Sequence, residues 1–378
     1  MIFGMVSEST SKAPITLLIN GLHSKSGGGV TYLNNILPLF GTAADVDVHL
    51  CIHQDQRKIL NVDLPGVTVH EFSFSSGFWK LLWREQVDVP RLAKRIGATV
   101  TFSPANYGPI FAPRSVILLR NALSVGLVER RLSKIAYWLL LYTATSLSLL
   151  FSSRAIAVSN YARTSASGGL LNIFSEQFSI VPHGVDERFL KPCNGMKREN
   201  FMLAVSDIYV QKNFSRLLEA ISLLRERHPT IKLKVAGRAI DAEYYATLLG
   251  KMEHLGISDH VEFLGHVDPE KLVDLYQRCG VFVFPSLVET FGNSLVEAMA
   301  SGAPVATSRA AAMPEVAGEG ALYFDPTDIN DIAAILESLL KSDELRRDLG
   351  QKALRQAQAY SWPITAERTL TVLRDAAS

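Results

Sequence analysis

Residues 284–308 read FPSLVETFGNSLVEAMASGAPVATS, and this stretch holds a strand–helix–strand pattern. The apolar run that ends at Phe284 predicts a buried strand, Ser294–Ala300 predict a helix, and Pro304–Thr307 predict the next strand. Asn293 and Ser294 are good N-cap residues for the helix between them. Strands joined through a helix pair in parallel, so the stretch predicts part of a parallel sheet.

The same alternation extends towards the amino terminus. Ile15–Asn20 (ITLLIN) is a continuous apolar run, which is typical of a strand buried on both faces. A glycine turn at Gly27–Gly29 follows it. Further strands are predicted at Val46–Ile52, Val67–Phe72, Thr99–Phe102, Val116–Leu119, Ala155–Val158 and Ser179–Val181, with helices at Val30–Phe40, Trp79–Ile96 and Tyr161–Leu171.

A second alternating series begins after a break in the chain. The break lies near Pro182–Asp186, and the polar segment Lys191–Asn200 predicts an interdomain linker. The second series has predicted strands at Met202–Val205, Lys232–Ala236, His260–Phe263, Val281–Phe284, Pro304–Thr307 and Ala321–Phe324, and helices at Phe214–Arg227, Ala242–Leu255 and Pro269–Arg278, before three carboxyl-terminal helical stretches. Two such series predict an α/β protein with two doubly wound parallel sheets, and a ligand site at the carboxyl ends of the strands.

Composition excludes several classes of function. The 378 residues include 38 Lys and Arg against 37 Asp and Glu, a balance that gives no electrostatic reason to expect nucleic-acid binding. The three cysteines are widely spaced, which argues against a disulfide framework or a cysteine zinc site. Met1–Pro14 lacks the charged and apolar regions of a secretory signal, so we expect a cytoplasmic protein.

One apolar segment, Ile135–Ser153, contains no charged residue and is flanked by basic residues. Its length is near the lower limit for crossing a bilayer. Three interpretations are open at this point: a buried or half-buried core helix, a helix resting at a membrane surface, and a true span. A helix at the surface would place the protein at the inner face of the cell membrane through a peripheral membrane contact.

Two carboxylates flank the predicted start of the helix in the opening stretch. The backbone N–H groups of Asn293, Ser294 and Leu295 suit a diphosphate, because a helix N-terminus attracts anions. Glu289 and Glu297 beside such a site favour sugar hydroxyls as partners, since carboxylates accept strong hydrogen bonds. In the alternative interpretation Glu297 interacts only with the helix dipole and Glu289 is a solvated loop charge.

Several elements of the chain resemble the retaining GT-B glycosyltransferases of family 4, the glycosyl transferases group 1, and they follow one another in the same order as in that family. Glu289 and Glu297 match the E-x7-E motif of that family. The other matching elements are GGGV at Gly27–Val30, VPHGVD at Val181–Asp186, QKN at Gln211–Asn213, VAGR at Val235–Arg238, FLGHV at Phe263–Val267 and YSW at Tyr360–Trp362.

The resemblance implies a GT-B fold, with two facing Rossmann-like domains, an interdomain cleft and a C-terminal crossing helix. The acceptor-binding domain would comprise residues 1–185 and the nucleotide-sugar-binding domain residues 186–360. Residues 361–378 would form a helix that packs back on the first domain. His183, in the segment between the domains, is expected to be structural.

The resemblance also implies roles for the residues at matching positions. Glu289 would lie near the donor sugar, Glu297 would bind the ribose diol, and Lys212 would neutralise the diphosphate. Stabilising that leaving group is expected to be the largest catalytic contribution. The other implied donor-binding residues are Gly28, Gly29, Arg238, His266, Val267, Phe291, Gly292, Asn293, Ser294 and Leu295.

The sequence departs from the family at two places. Asp207 in VSD stands where the family usually has an arginine after the first strand of the second domain, and a carboxylate there is expected to repel a diphosphate unless Arg238 compensates. In the first domain, Arg120-Asn121 stands where the family often has His-Asp or His-Asn. Arg120 would pair with a phosphate or the acceptor, and Asn121 would contact the transferred sugar.

The expected activity is transfer of a hexose-type sugar from a UDP- or GDP-sugar to a glycan or lipid-linked acceptor, with retention, in cell-envelope polysaccharide or lipopolysaccharide biosynthesis. No cofactor besides this co-substrate is expected, and no metal, although Asp45–Asp47 (DVD) superficially matches the metal motif of the other glycosyltransferase fold. The alternatives are a nucleotide-sugar-binding protein or partner subunit that has lost turnover, and another GT-B enzyme such as an epimerase or phosphorylase.

Overall fold

The computed structural model describes residues 14–25, 27–75, 77–120, 132–167, 177–190 and 198–378. Packing divides the chain into two units. The first unit comprises Met1–Leu118, Leu147–Ile156 and Ala366–Ser378, and the second comprises Leu119–Ser146 and Ala157–Thr365. The predicted domain limits at residues 185 and 360 stay a prediction.

The first sheet has seven strands in the order β3-β2-β1-β4-β5-β6-β7. Its central strand β1 pairs in parallel with β2 and β4. Leu17, Leu18 and Ile19 of β1 are fully buried, as a strand covered on both faces requires. The strands are β1 Ile15–Asn20, β2 Val46–His53, β3 Val67–Phe72, β4 Val100–Ser103, β5 Ser115–Leu119, β6 Arg154–Ala157 and β7 Phe178–Ile180.

The second sheet has six strands in the order β10-β9-β8-β11-β12-β13. All of its pairs are parallel. A core of Met202, Val235, Val283 and their apolar neighbours lies between this sheet and its helices. The strands are β8 Met202–Val205, β9 Leu233–Ala236, β10 Val261–Gly265, β11 Val281–Phe284, β12 Val305–Ser308 and β13 Ala321–Phe324. Two doubly wound parallel sheets confirm the predicted fold class.

Helices connect the strands in both series. Those up to β7 are α1 Gly27–Gly41, α2 Phe78–Ile96, α3 Leu132–Phe151 and α4 Asn160–Ser167. Those after β8 are α5 Phe214–Arg225, α6 Ala242–His254, α7 Pro269–Arg278, α8 Asn293–Ala300, α9 Met313–Ala317, α10 Ile329–Lys341, α11 Asp343–Ala357 and α12 Trp362–Ala377.

The glycine turn predicted at Gly27–Gly29 was wrong, because these residues already form the first turn of α1. Gly27, the first residue of the helix, has a φ of 54°, a conformation that favours glycine. Gly29 is buried. The remainder of the helix predicted over Tyr161–Leu171, beyond Ser167, lies outside the described residues, as does the linker segment 191–197.

Helix α3 covers the apolar segment whose environment the sequence left open. Leu141, Thr145 and Leu149 are buried, whereas Leu139, Leu150 and Phe151 are about two-thirds exposed (66%, 58% and 60%). The helix is therefore half-buried, with one apolar side in contact with solvent. Among the described residues, no helix combines the length and the hydropathy needed to cross a bilayer.

The last helix completes the first unit. The hydroxyl of Thr369 in α12 lies 3.4 Å from that of Tyr32 in α1, and both residues are buried. Arg374 donates two hydrogen bonds of 2.7 Å to the carboxylate of Asp45. Asp45 of the DVD triplet is therefore engaged by an arginine, and Asp47 lies 3.1 Å from His49.

Candidate active site

The loop between β11 and α8 forms the centre of the candidate site in the second unit. Phe284 at the end of β11 is buried, and Gly292 precedes α8 with a φ of 88°. A Cβ atom at Gly292 would lie 3.2 Å from the ring of Phe284. Glycine is required here by both the backbone conformation and the close approach.

The helix cap differs from the prediction. Gly292, and not Asn293 or Ser294, is the N-cap residue, and no described side chain caps the helix. The N–H of Leu295 donates to the carbonyl of Gly292 at 3.0 Å, so the prediction that this N–H is exposed for a diphosphate was wrong. Asn293 and Ser294 form the first turn, where N–H groups have no partner within the helix.

Glu289 and Lys212 form an ion pair in which each side chain is 17% exposed. Lys212 ends a short 3-10 turn at Val210–Lys212, and its ammonium lies 5.6 Å from the centroid of the Phe284 ring. Asn213 holds the turn in place, because its amide donates to the carbonyls of Pro285 at 3.1 Å and Pro326 at 2.8 Å. The structure thus brings together two residues predicted to be catalytic.

Glu297 lies one turn into α8 and is half-buried. The hydroxyl of the buried Tyr276 in α7 donates to its carboxylate at 3.0 Å. Burial raises the pKa of Glu297 to about 7, and this hydrogen bond opposes the rise only in part. Burial and the neighbouring carboxylate raise the pKa of Tyr276 well above its usual value. Sequence reasoning missed Tyr276, because a tyrosine in an amphipathic helix gives no signal of this contact.

Asp207 does not lie in the candidate site as an uncompensated negative charge. Arg238 donates to it from its backbone N–H at 3.0 Å and from its guanidinium at 3.2 and 2.9 Å. Partial burial acts to raise the pKa of Asp207, but the hydrogen bonds from Arg238 outweigh burial and lower it. The expected repulsion is therefore compensated within the protein, and Arg238 is engaged by this pair.

Thr290, next to Glu289, anchors the loop to segments from the first half of the sequence that belong to the same unit. Its hydroxyl donates to the carbonyl of Arg120 at 2.5 Å, and its carbonyl accepts from the hydroxyl of Ser159 at 2.6 Å. Sequence reasoning missed Thr290 and Ser159, whose contacts span more than 100 residues. Asn121 lies outside the described residues.

His183 is buried between aromatic rings, as a structural residue requires. It stacks on Trp362, and its Nδ1 atom lies 3.1 Å from the side-chain oxygen of Asn293. Burial lowers the pKa of His183 to about 4, with a further lowering from the charge of Arg120 and an opposing effect from Asn293. The ring is therefore neutral near pH 7. Asn293 and the adjacent Phe291 are held by this cluster.

The remaining predicted donor-binding residues occupy two separate places. His266 and Val267 follow β10, where Gly237 donates to the carbonyl of Gly265 at 2.8 Å and so brings the ends of β9 and β10 together. His266 is exposed. Gly28 and Gly29 lie in the first turn of α1, in the first unit.

The sequence and the fold of this chain have relatives among known proteins. Residues 186–356 match the family model described as glycosyl transferases group 1. The MMP alpha-(1->4)-mannosyltransferase of Mycolicibacterium hassiacum is 35% identical over 206 residues, which are 53% of this chain and 49% of that protein. The serotype-specific mannosyltransferase WbdA of Escherichia coli is 33% identical over 210 residues, covering 53% of this chain and 25% of WbdA.

The chain spans about half the length, or less, of the curated relatives that it matches. A solved structure, Anabaena HepE in complex with UDP, superposes with a TM-score of 0.74 at 16% identity, covering 96% of this chain and all of that one. The likeness at this identity shows the fold. The match to the glycosyl transferases group 1 family thus lies in residues 186–356, and the chain that carries them has the GT-B fold.

Proposed function

We propose that this chain is a retaining glycosyltransferase that transfers a hexose-type sugar from a UDP- or GDP-sugar to a glycan or lipid-linked acceptor. The observation that carries the proposal is the Lys212–Glu289 pair beside the first turn of α8. It places a cation, a carboxylate and a helix N-terminus together. A nucleotide diphosphate sugar presents complementary groups, since its diphosphate is anionic and its sugar hydroxyls are donors.

Lys212 would supply the main catalytic effect. Negative charge grows on the diphosphate as the glycosidic bond breaks, and a fixed ammonium in a partly buried site stabilises that charge. Glu289 would hold Lys212 in position before the donor binds and accept hydroxyl hydrogen bonds from the sugar afterwards. Glu297, held by Tyr276, would accept from the ribose diol.

Retention is proposed from the family resemblance. The acceptor hydroxyl would attack the sugar on the same face from which the leaving group departs, and the departing phosphate would take the proton of that hydroxyl. Proton NMR of the first product formed would show the same anomeric configuration as in the donor sugar. A product with the opposite anomeric configuration would contradict retention and leave glycosyl transfer intact.

We propose a role in cell-envelope polysaccharide or lipopolysaccharide biosynthesis on the cytoplasmic side, and the name of one relative bears on the first part of this proposal. WbdA is named as serotype-specific, and serotypes reflect surface glycans. Both relatives are named mannosyltransferases, whereas the solved HepE complex contains UDP. The donor base therefore has to be found by experiment, and we propose UDP and GDP sugars as the first candidates.

A thermal-shift screen tests the proposal directly. Wild type, Glu297→Ala and the exposed control Glu319→Ala would be heated with UDP, GDP, ADP and their common sugar conjugates. A ligand that binds only the folded state raises Tm. We expect one nucleotide family to raise the Tm of wild type and of Glu319→Ala but not of Glu297→Ala. No rise with any nucleotide at millimolar concentration would contradict the proposed function.

A second candidate function is a nucleotide-sugar-binding protein without turnover, and the Asp207–Arg238 pair favours it. This pair removes one free cation from the place where the family usually has an arginine. The binder would show the same thermal shift as an enzyme. It would release no nucleoside diphosphate from the donor when incubated with an acceptor mixture, whereas the enzyme would release it.

We also propose that helix α3 contacts an anionic lipid surface. Its exposed apolar side includes Leu139, Leu150 and Phe151, and its sequence from Ile135 onward contains no charge. The basic residues Arg130, Arg131 and Arg154 flank it in the sequence, which suits acidic headgroups. Vesicles containing phosphatidylglycerol should co-float with wild type and with Leu249→Gln, but not with Leu150→Gln/Phe151→Gln. Wild type that does not float would overturn this contact.

A further inference from the structure

Val288, the residue before Glu289, makes an apolar contact outside the ion pair described above. Val288 is buried, and it packs against Trp138 in α3, Tyr161 in α4 and Leu287 of its own loop. All of these residues belong to the second unit. We refer to Trp138 and Tyr161 as the Val288 seat.

The helix that carries Trp138 turns this side chain towards the loop. Tyr137, its neighbour in α3, is 51% exposed, whereas Trp138 is half-buried, because consecutive residues of a helix point in different directions. The two rings meet edge to face, with their centroids 5.6 Å apart. One side of α3 therefore contacts solvent while Trp138 contacts Val288.

The same part of α3 lies close to the 3-10 turn that carries Lys212. Burial is the main cause of a raised pKa of Tyr209, the residue before that turn, and the phenol of Tyr137 is one of the neighbouring groups that add to the rise. The turn is joined to the loop, because the N–H of Leu287 donates to the carbonyl of Gln211 at 2.8 Å. Helix α3 is thus close to both segments that carry the ion pair.

The backbone at Glu289 is held on both sides. On the carboxyl side, Thr290 makes the two hydrogen bonds described above. On the amino side, Val288 is packed on its seat. Packing contacts of this kind fix a position, because a close-packed interior leaves little room for displacement. The place of the Glu289 carboxylate beside Lys212 therefore depends on the seat as well as on the hydrogen bonds.

A displacement of this loop would matter for the chemistry of sugar transfer. Misplacing a reacting group by about 1 Å can cost on the order of 100-fold in rate. Removing a large ring from beside the loop opens space into which the loop can relax. In the proposed function the nucleotide is bound through Glu297 and the first turn of α8, which lie outside the seat. Loss of Trp138 should therefore slow turnover without weakening nucleotide binding.

We propose that Trp138 is a positioning residue for the transfer reaction. Through Val288 it holds Glu289, and with Glu289 the ammonium of Lys212, in the geometry that the reaction requires. This inference rests on the proposed function and deepens it, since it names a residue that acts on the ion pair without touching the donor. It does not depend on the identity of the base, the sugar or the acceptor.

The first test reads the position of the loop and needs no activity. The full chain, grown with 5-fluorotryptophan, has a ¹⁹F signal for each of its four tryptophans, and each signal is assigned by replacing one tryptophan with phenylalanine. Glu289→Gln removes the charge that pairs with Lys212, and it should move the signal of Trp138. The signals of Trp79 and Trp83, which are exposed on α2, should stay in place. A Trp138 signal that does not move would overturn the inference.

The second test is a double-mutant cycle on kcat for release of nucleoside diphosphate. Trp138→Ala should lower kcat about tenfold or more in wild type but less than about twofold in Glu289→Gln, where the carboxylate that it positions is already absent. Trp138→Phe should restore kcat to within about threefold, and the exposed control Trp83→Ala should leave it unchanged. The rise in Tm with nucleotide should persist in Trp138→Ala.

Equal losses of kcat in both backgrounds would overturn the inference, because a merely structural tryptophan would act independently of Glu289. Loss of the nucleotide-induced rise in Tm in Trp138→Ala would overturn it as well. If wild type shows no turnover, the proposed function fails, and the ¹⁹F signal of Trp138 still decides whether this residue holds Glu289. The two failures are therefore seen separately.

Discussion

The carboxyl edges of the two sheets both carry half-buried or buried carboxylates, but they compensate them differently. At the second sheet Glu289 is paired with Lys212 and Asp207 with Arg238, so each of these two negative charges has a cation beside it. At the first sheet Glu85 contacts an amide and an imidazole, and its other oxygen has no hydrogen-bond partner in the part of the chain that the structure describes. The first arrangement suits an anion that competes for the cations, and the second keeps a carboxylate fully buried.

Removing the cation of the second edge should have the largest effect. Lys212→Met is expected to lower kcat for release of nucleoside diphosphate by at least about 100-fold, because the leaving-group charge loses its fixed partner. The exposed control Lys232→Met should stay within twofold. A Lys212→Met enzyme with near-normal kcat would show that the charge pairing of this edge is structural and would remove the contrast between the edges.

His183, beside the second edge, should make the free energy of unfolding depend on pH. Its folded pKa of about 4 lies below the ordinary value of 6.5, so the unfolded chain takes up a proton first. Stability contributed by the neutral ring is present above pH 6.5 and is lost as the pH falls through about 4, on the order of 3 kcal/mol at the limit. Urea unfolding at several pH values should show this loss in wild type but not in His183→Gln. If the free energy of unfolding changed with pH equally in both proteins, the prediction would be contradicted.

Glu297 should titrate in the opposite sense. Its folded pKa of about 7 lies above the ordinary 4.5, so its contribution is present below pH 4.5 and is lost as the pH rises through 7. We expect Glu297→Gln to gain about 2 kcal/mol relative to wild type between pH 5 and 8. The same ionisation should strengthen nucleotide binding in wild type only, since the carboxylate accepts from the ribose. Parallel pH profiles for both proteins would rule this out.

The smallest expected effect concerns the Asp207–Arg238 pair. Asp207→Asn should release the guanidinium and tighten the binding of nucleoside diphosphate about two- to fivefold, the size expected for a half-exposed ion pair. Calorimetric titration with the nucleotide found by the thermal screen would measure it, with Asp274→Asn, on the surface of α7, as the control. Weaker binding in Asp207→Asn would show that Asp207 itself contacts the donor.

Much of the fold could be predicted from sequence, because the strands are short apolar runs between helical patterns. Five strands have the predicted bounds, and the other strands differ by one or two residues at an end; the five are Ile15–Asn20, Val67–Phe72, Met202–Val205, Val281–Phe284 and Ala321–Phe324. Residues of the second edge could also be predicted from the sequence, since Glu289 and Glu297 lie in one contiguous stretch. The N-cap at Gly292 was missed because good capping side chains followed it, whereas the helix begins after the left-handed backbone of Gly292.

The contacts among Asn20, His23, Glu85 and Tyr107 at the edge of the first sheet could not be found in the sequence. These four residues lie at positions 20, 23, 85 and 107, and each has an ordinary explanation where it stands. Glu85 looks like a solvated charge in a helix rich in charges, yet it is fully buried. Only the order of the strands, which places β4 beside β1, brings Tyr107 to His23.

The contact between the last helix and α1 has a consequence for how the protein is made. Asp45 and Arg374 are 329 residues apart in the chain, and Tyr32 and Thr369 are 337 apart. During synthesis the first unit is thus left without its final helix until residues 366–377 have emerged from the ribosome. Until then the side of α1 that carries Tyr32 lacks its cover, so chains halted after the second sheet would present this apolar face to chaperones and proteases.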